Sequence, residues 1–296
     1  MNLKDIYSKK NQIKSCDFSK KKPIISFEVF PPKEDIEAKC EQIIVELNNL
    51  KKFDPKLISV TYGAGGSTKS NSFELADMIK EQVKIEVMPH FTCVNSSFSF
   101  ISDCLTKFES LGIENVLALR GDLPKDRDVE HMDFKYASEL VNFIRTRTEL
   151  AVAVAGYPEG HIESESLNKD IDYLKKKVDE GASVIYTQLF FDNDYFYKYV
   201  DKVRAVGIDL PIVPGLLPIT NHSQLDRMVS LCGVKVPKKL LEKLDKFKDS
   251  PNEIKKIGVD FACQQVSELL DFEADGLHFY ILNKSNPTCS ILDNIL

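Results

Sequence analysis

The chain has 296 residues, 43% hydrophobic and 28% charged, which excludes disorder over most of its length and fits one large domain or two small ones. Its 39 Lys and Arg face 45 Asp and Glu, and a formal net charge of −6 argues against a nucleic-acid binder, which would carry a basic domain or stripe. No apolar run reaches the ~18 residues of a membrane-spanning helix, the first 22 residues lack the apolar core of a secretory signal, and the 7 cysteines form no CxxC pair, so a cytoplasmic protein with buried thiols and no membrane partner is expected.

Residues 1–22 are basic and read as a solvated arm or a short helix laid against the body; residues 23–296 read as a single domain. Eight runs rich in Val, Ile, Leu, Phe and Ala are predicted strands: 24–30, 57–62, 85–93, 115–121, 151–157, 184–191, 211–217 and 276–282. Near-continuous apolar runs of this length suit strands covered on both faces. Between them the apolar spacing becomes helical, as in Ile36, Cys40, Ile43, Ile44 and Leu47, in Leu140, Val141 and Ile144, and in Ile171, Leu174 and Val178. Gly112, Gly181, Gly207 and Gly233 close helices where a left-handed residue is needed. A Lys-rich stretch, 236–252, reads as an extra helix between the seventh and eighth strands. Eight strand-helix alternations predict an α/β fold, a (β/α)8 TIM barrel. An open doubly wound sheet is the alternative, but it would carry a Gly-rich turn after its first strand, where this chain has Phe30-Pro31-Pro32.

In such a barrel the chemistry lies at the carboxyl ends of the strands. There the chain places Glu28, Thr61 and Tyr62, His90 and Thr92, Arg120 and Asp122, Tyr157, Glu159 and His161, and Gln188. Polar side chains inside apolar runs are costly to bury without a purpose, so a functional rim is expected. Glu28 reads as a functional carboxylate, because a barrel has no edge on which to expose it. His90 fits a satisfied core histidine as well as a ligand contact. Arg120 and Asp122 either pair with each other or face a ligand together. Gly63-Ala64-Gly65-Gly66 reads as a tight turn, since Thr68 breaks the dinucleotide spacing. On charge pattern alone, Lys176 and Lys177 belong to a solvated helical face. The five histidines show no metal-ligand spacing, so no metal is expected. One rival reading is a glycoside hydrolase using two of Glu28, Glu159 and Asp122, weakened by the absence of Trp. A non-catalytic barrel is another.

Several motifs carry a family resemblance. The run from Ser26 to Pro32 (SFEVFPP), Ser59 to Ala64 (SVTYGA), Pro89 to Cys93 (PHFTC), Ala118 to Pro124 (ALRGDLP), Tyr157 to His161 (YPEGH), Thr187 to Asp192 (TQLFFD), Pro214 to Pro218 (PGLLP) and His278 to Asn283 (HFYILN) occur in this order. Together they resemble the methylenetetrahydrofolate reductase family in its bacterial type. The resemblance implies a FAD-containing barrel that reduces 5,10-methylenetetrahydrofolate to 5-methyltetrahydrofolate in one-carbon metabolism feeding methionine synthesis. The donor would be NADH or NADPH, usually NADH in bacterial members, in a ping-pong reaction on one flavin face. It also implies a homo-oligomer. Eukaryotic members add a regulatory domain that binds S-adenosylmethionine; at this length a catalytic domain without that inhibition is expected.

Residue by residue, the resemblance implies that Glu28 is the general acid that protonates N10 of the folate, which requires its carboxyl to be protonated near neutral pH, as burial would favour. Asp122 matches a carboxylate near the flavin pyrimidine edge and the pterin. Thr61, Tyr62, Ala64, His90, Arg120, Gly121, Asp122, Ala137, Tyr157, His161, Asp170, Tyr173, Lys176 and Lys177 match the FAD shell, with the two lysines toward the pyrophosphate. Thr61, Asp122, Gln188, Gln224 and Lys284 match contacts to nicotinamide or folate. Lys176 and Lys284 stand where bacterial relatives carry Arg, which keeps the charge and loses the bidentate fork. Tyr173 replaces an Asn, and Leu189 an aromatic.

Overall fold

All eight predicted strands form, and in the computed structural model of the chain they close into one parallel barrel. The structure describes residues 1–8, 22–62, 69–122 and 133–296. The strands β1 (Ile25–Val29), β2 (Leu57–Val60), β3 (Glu86–Thr92), β4 (Asn115–Leu119), β5 (Ala151–Gly156), β6 (Val184–Leu189), β7 (Ile212–Leu216) and β8 (Leu277–Tyr280) pair in sequence order, and β8 returns to β1. Outside them run α2 (Ile36–Leu50), α3 (Lys69–Met78), α4 (Phe98–Ser110), α5 (Ala137–Arg145), α6 (Leu167–Asp179) and α7 (Asn193–Ala205). After β7 come α8 (His222–Cys232), α9 (Lys238–Lys246) and α10 (Pro251–Asp271), and after β8 comes α11 (Asn286–Ile295). The predicted extra helix at 236–252 is α9 with the first residues of α10. Among the described residues no helix is long and apolar enough to cross a membrane.

Local chemistry sets the helix ends. Ser97, Ser166, Asp192 and Asn221 cap α4, α6, α7 and α8, each accepting a hydrogen bond from a backbone N–H of the first turn. Gly233 ends α8 in the left-handed region at φ 68°, as predicted.

Two cores result from the strand alternation. The outward residues Phe27, Ile58, Phe91, Val154, Ile185 and Phe279 pack beneath the helices, against Leu47, Leu105, Leu140 and Leu269. The inward residues Leu57, Met88, Leu117, Ala153, Val184 and Val213 fill the lower lumen. Above them the inward positions turn polar, from Leu57 to Ser59 on β2 and from Met88 to His90 on β3. The site therefore sits on an apolar floor.

That floor is closed from below by α1 (Leu3–Ile6), so a short helix lies at the start of the chain. Leu3, Ile6 and Tyr7 are buried in the lumen core. Asn115, fully buried at the start of β4, accepts from the Leu3 N–H at 2.7 Å and donates to Met1 O at 3.2 Å. The terminal ammonium pairs with Glu86 and Glu114 at 2.6 and 2.8 Å. Leu3→Ala is expected to cost about 2–5 kcal/mol and to lower the melting temperature by roughly 5–10 °C. Calorimetry checks this; an unchanged melting temperature would mean the plug carries no stability.

Candidate functional site

The upper lumen converges on Glu28. Its side chain is inward on β1 and only 5% exposed, an unusual place for a carboxylate. Register puts Ser59 opposite it on β2 and Tyr280 on β8. Three groups approach Oε2: His90 Nε2 at 3.2 Å, His278 Nε2 at 3.4 Å and the Ser59 hydroxyl at 3.4 Å. The His90 approach satisfies ion-pair distance but not hydrogen-bond alignment. Burial pushes the Glu28 carboxyl up, but the proximity of His90 and the hydrogen bond with His278 outweigh it and hold the group at about 2. The expectation that burial alone would keep this acid protonated is therefore not met. Two imidazoles on the same oxygen are the reason.

The end of β1 is fixed from across the barrel closure. Asn283 accepts from Phe30 N–H at 2.8 Å and donates to Phe30 O at 2.8 Å, acting as a short extra strand. To reach it the chain runs through positive φ at Leu282 (49°) and Asn283 (59°), a conformation that costs a leucine energy. The SFEVFPP and HFYILN motifs are thus two sides of one joint. Beside it the Tyr280 hydroxyl donates to Thr187 O at 2.9 Å, and a β-Cβ at Gly215 would lie 2.3 Å from that same carbonyl oxygen. The β6–β7 register shifts between Tyr186 and Leu189, and Gln188 lies in that irregularity, half-buried, with its Oε1 accepting from Leu189 N–H.

The other wall is built by β4, β5 and α6. Arg120 is half-buried and pairs with Glu163 at 2.7 Å, not with Asp122, which is exposed at the rim. Gly121 between them has φ 87°, and a Cβ there would lie 2.6 Å from Val94 Cγ1. Tyr157 and His161 meet edge to face at 4.7 Å. Asp170 is buried, and its carboxyl is raised because burial outweighs the pull of Lys177 and His161. Lys177 donates to Ala155 O at 2.6 Å, and burial brings its amine down to about 8 despite Asp170. Lys176 points elsewhere: it is exposed, with its amine 5.5 Å from the ring of the exposed Tyr173. Ala137 is half-buried at the first position of α5. Thr61 and Tyr62 follow β2, half-buried, with Tyr62 edge-on to Phe91 at 6.3 Å. Ala64 and the rest of the Gly63–Gly66 turn lie outside the described residues.

A groove on the β7–β8 side brings Gln224 and Lys284 together with Pro218, Thr220, Tyr280 and Leu282. Gln224 Oε1 accepts from Thr220 N–H at 3.1 Å, and Lys284 is exposed. Cys232, at the end of α8, is no nucleophile. Burial, with the charges of Glu28 and Asp122, pushes its thiol up to about 11. Glu159 turns away from Glu28 to accept from the Lys235 N–H at 3.1 and 3.2 Å.

The sequence profile of the methylenetetrahydrofolate reductase family matches residues 12–296. A 5,10-methylenetetrahydrofolate reductase of Pectobacterium carotovorum is 35% identical over 268 residues, covering 90% of this chain and 88% of that protein. The chain belongs to the methylenetetrahydrofolate reductase family. The Escherichia coli reductase is 33% identical over the same share of each chain. Methylenetetrahydrofolate reductase (NADH) 1 of Arabidopsis thaliana is 40% identical over 91% of this chain but only 48% of its own length. This reductase-family chain thus spans about half the length of its plant relatives. Among solved structures, a Clostridium thermocellum protein described as binding two copies of 5-methyl-5,6,7,8-tetrahydrofolic acid shares the fold, at a TM-score of 0.62 and 14% identity over 91% of this chain and 93% of that one.

Sequence reading missed His278 and Ser26 as site residues. Each lies in a quoted motif, but only as part of a strand. The signal was present: a histidine between Leu277 and Phe279 breaks an apolar run as His90 does between Pro89 and Phe91.

Proposed function

We propose that this family member reduces 5,10-methylenetetrahydrofolate to 5-methyltetrahydrofolate, with FAD as its flavin and NADH as the preferred donor over NADPH. The observation that carries the reading is the buried Glu28, aimed into a polar barrel mouth and gripped by His90 and His278. A carboxyl in that position can pass a proton to a ligand above it while water is kept out below by the apolar floor.

The rim also fits a dinucleotide with anionic phosphates. Lys177 is half-buried and donates to a backbone carbonyl beside the buried Asp170, so it has charge left to offer. Arg120 is met by Glu163, a pair whose acidic partner is half exposed at 49%; such pairs hold by about 0–1 kcal/mol and yield readily to a phosphate or ring carbonyl. Lys177, Arg120, His161 and Tyr157 would hold the cofactor, with Thr61, Tyr62, Ala64, His90, Gly121, Ala137, Asp170, Tyr173 and Lys176 completing its shell. FAD, when bound, supplies the hydride relay between reduced nucleotide and folate.

The chain's own residues do the rest. Glu28, held at about 2 without ligand, has to take up a proton once the folate covers it and pass that proton to N10, so that the five-membered ring opens without expelling an amide anion. Asp122 accepts from the pterin amino group and sets a negative charge beside the flavin. Gln188 and Thr61 orient nicotinamide and pterin in turn. Gln224 and Lys284 line a groove suited to the folate's acidic tail. The name of the Arabidopsis relative supports NADH as donor. A homo-oligomer in the cytoplasm is the expected setting.

The glycosidase reading fares worse. Glu159 is held by the Lys235 backbone, and Asp122 is an exposed rim residue, so neither is poised as a second carboxylate against Glu28. The test is addition of FAD to the purified protein. A bound flavin with an absorption band near ~450 nm, bleached by NADH, is expected; a protein that takes up no flavin would overturn the proposal.

A further inference from the structure

The first strand cannot carry its pairing beyond Phe30, because Pro31 and Pro32 bring no N–H to a ladder. Its partner β8 stops earlier still. The last paired residues are Glu28 and Tyr280, followed by one long bond from the Ile281 N–H to Glu28 O at 3.3 Å. The chain then leaves the sheet in a four-residue turn, closed by the Lys284 N–H on Ile281 O at 3.0 Å. Both central residues, Leu282 and Asn283, are left-handed, an arrangement that normally selects Asn-Gly. A leucine gains nothing locally from that conformation, so the surroundings impose it. Just past the turn, Glu46 on α2 accepts from the Ser285 N–H at 2.7 Å. On the far side of the joint, Asn71 on α3 donates to Pro32 O at 2.9 Å.

We propose that Asn283 is a positioning residue for the folate half-reaction: its carboxamide, joined to both backbone polar groups of Phe30, holds the end of β1 at a fixed spacing from the β7–β8 groove. The carboxamide acts as a backbone unit would. It meets the N–H and the C=O of one residue, both at 2.8 Å, so its oxygen and nitrogen have a single assignment. Phe30 lies two residues beyond Glu28 and falls on the same inward face of β1. In the other direction the turn ends at Lys284, which lines the groove with Gln224, Tyr280 and Leu282. One side chain thus ties the strand end that carries the carboxyl to the turn that carries the groove's cation. The left-handed turn aims that side chain back at Phe30, which gives the strain at Leu282 a use.

A joint that served stability alone has a cheaper form. Glycine would suit φ 59° at position 283 better than asparagine, and a longer β8 would pair Phe30 directly. Neither alternative bends the chain so that Leu282 and Lys284 reach the groove while the end of β1 stays pinned. The folate half-reaction needs both at once. N10 has to meet Glu28 while the acidic tail of the same molecule occupies the groove, so slack between the two anchors misplaces the breaking bond. Flavin reduction by the nucleotide uses neither anchor and is indifferent to the joint.

The inference rests on the folate reduction proposed above. Asn283→Gly tests it, because glycine accepts the left-handed turn and removes the carboxamide with its two bonds. In ligand-free protein, amide exchange at Phe30 is expected to quicken by about tenfold or more. In flavin-loaded protein, reoxidation by saturating 5,10-methylenetetrahydrofolate is expected to slow by about tenfold or more, while flavin reduction by NADH changes by less than about threefold. Asn283→Ala, which loses the same bonds and also strains the turn, is expected to show the same split with a lower melting temperature. Unchanged exchange at Phe30 would overturn the proposal without reference to activity. Equal losses in both half-reactions, or a higher folate KM with an unchanged saturated rate, would make the joint structural and overturn it too. A parent protein whose reduced flavin is not reoxidised by the folate would instead sink the reaction itself, and this inference with it.

Discussion

Glu28→Gln is expected to slow transfer from reduced flavin to folate by about 10²–10⁴-fold, while flavin reduction by NADH changes by less than about threefold. The substitution is nearly isosteric and keeps an oxygen facing Ser59 and His278, so the mouth should hold its shape. What it removes is the transferable proton. Hydride delivery to the flavin needs no such proton, whereas opening the folate ring does. Rapid-mixing measurement of each half-reaction checks this. Equal loss in both would show that the carboxylate only holds the imidazoles in place.

The second large effect concerns Lys177. Lys177→Ala is expected to weaken FAD binding by roughly 10²-fold or more, because it removes a half-buried cation and leaves Asp170 buried without it. The pH dependence follows from the amine's value of about 8 against its ordinary 10.5. In the ligand-free protein, holding the charge costs stability below about 8; between about 8 and 10.5 the unfolded chain binds the extra proton, so stability rises with pH through that window. Bound phosphate acts in the opposite sense, by keeping the amine charged. Affinity for FAD should thus be flat below pH 8 and fall by up to about tenfold per pH unit above it. Lys177→Arg, which cannot deprotonate, should remove the break. Flavin fluorescence titrations at several pH values read this directly, and parallel profiles for the two proteins would detach Lys177 from the phosphates.

These two residues show what could and could not be read in the sequence. The strands were legible because β-branched apolar runs of six to nine residues have few other uses, and the closing of eight of them into a barrel follows from their count. Glu28 was legible for the same reason in reverse: a carboxylate in such a run demands an explanation. The distinction between Lys176 and Lys177 was available from helical arithmetic. Asp170 and Lys177 are seven residues apart, two turns along one face, and Lys176 is rotated away from it. The protonation of Glu28 was not legible. It depends on His90 and His278, which lie 62 and 250 positions away, the first brought to the carboxylate by β3 across β2 and the second only when β8 closes on β1. The plug was half legible. The first residues read as arm or helix, but nothing local announced that Leu3 would be tied to Asn115 and Tyr7 to Tyr186.

The central claim is that one barrel mouth takes electrons from a nucleotide and passes them, with a proton from Glu28, to a folate. An anaerobic single turnover tests it most directly. The FAD-loaded protein is reduced with one equivalent of NADH, then mixed with 5,10-methylenetetrahydrofolate while absorbance near ~450 nm is followed. The account predicts full return of the oxidised band, with one 5-methyltetrahydrofolate formed per flavin. A flavin that stays reduced in the presence of the folate, or reoxidises without methyl product, would contradict it.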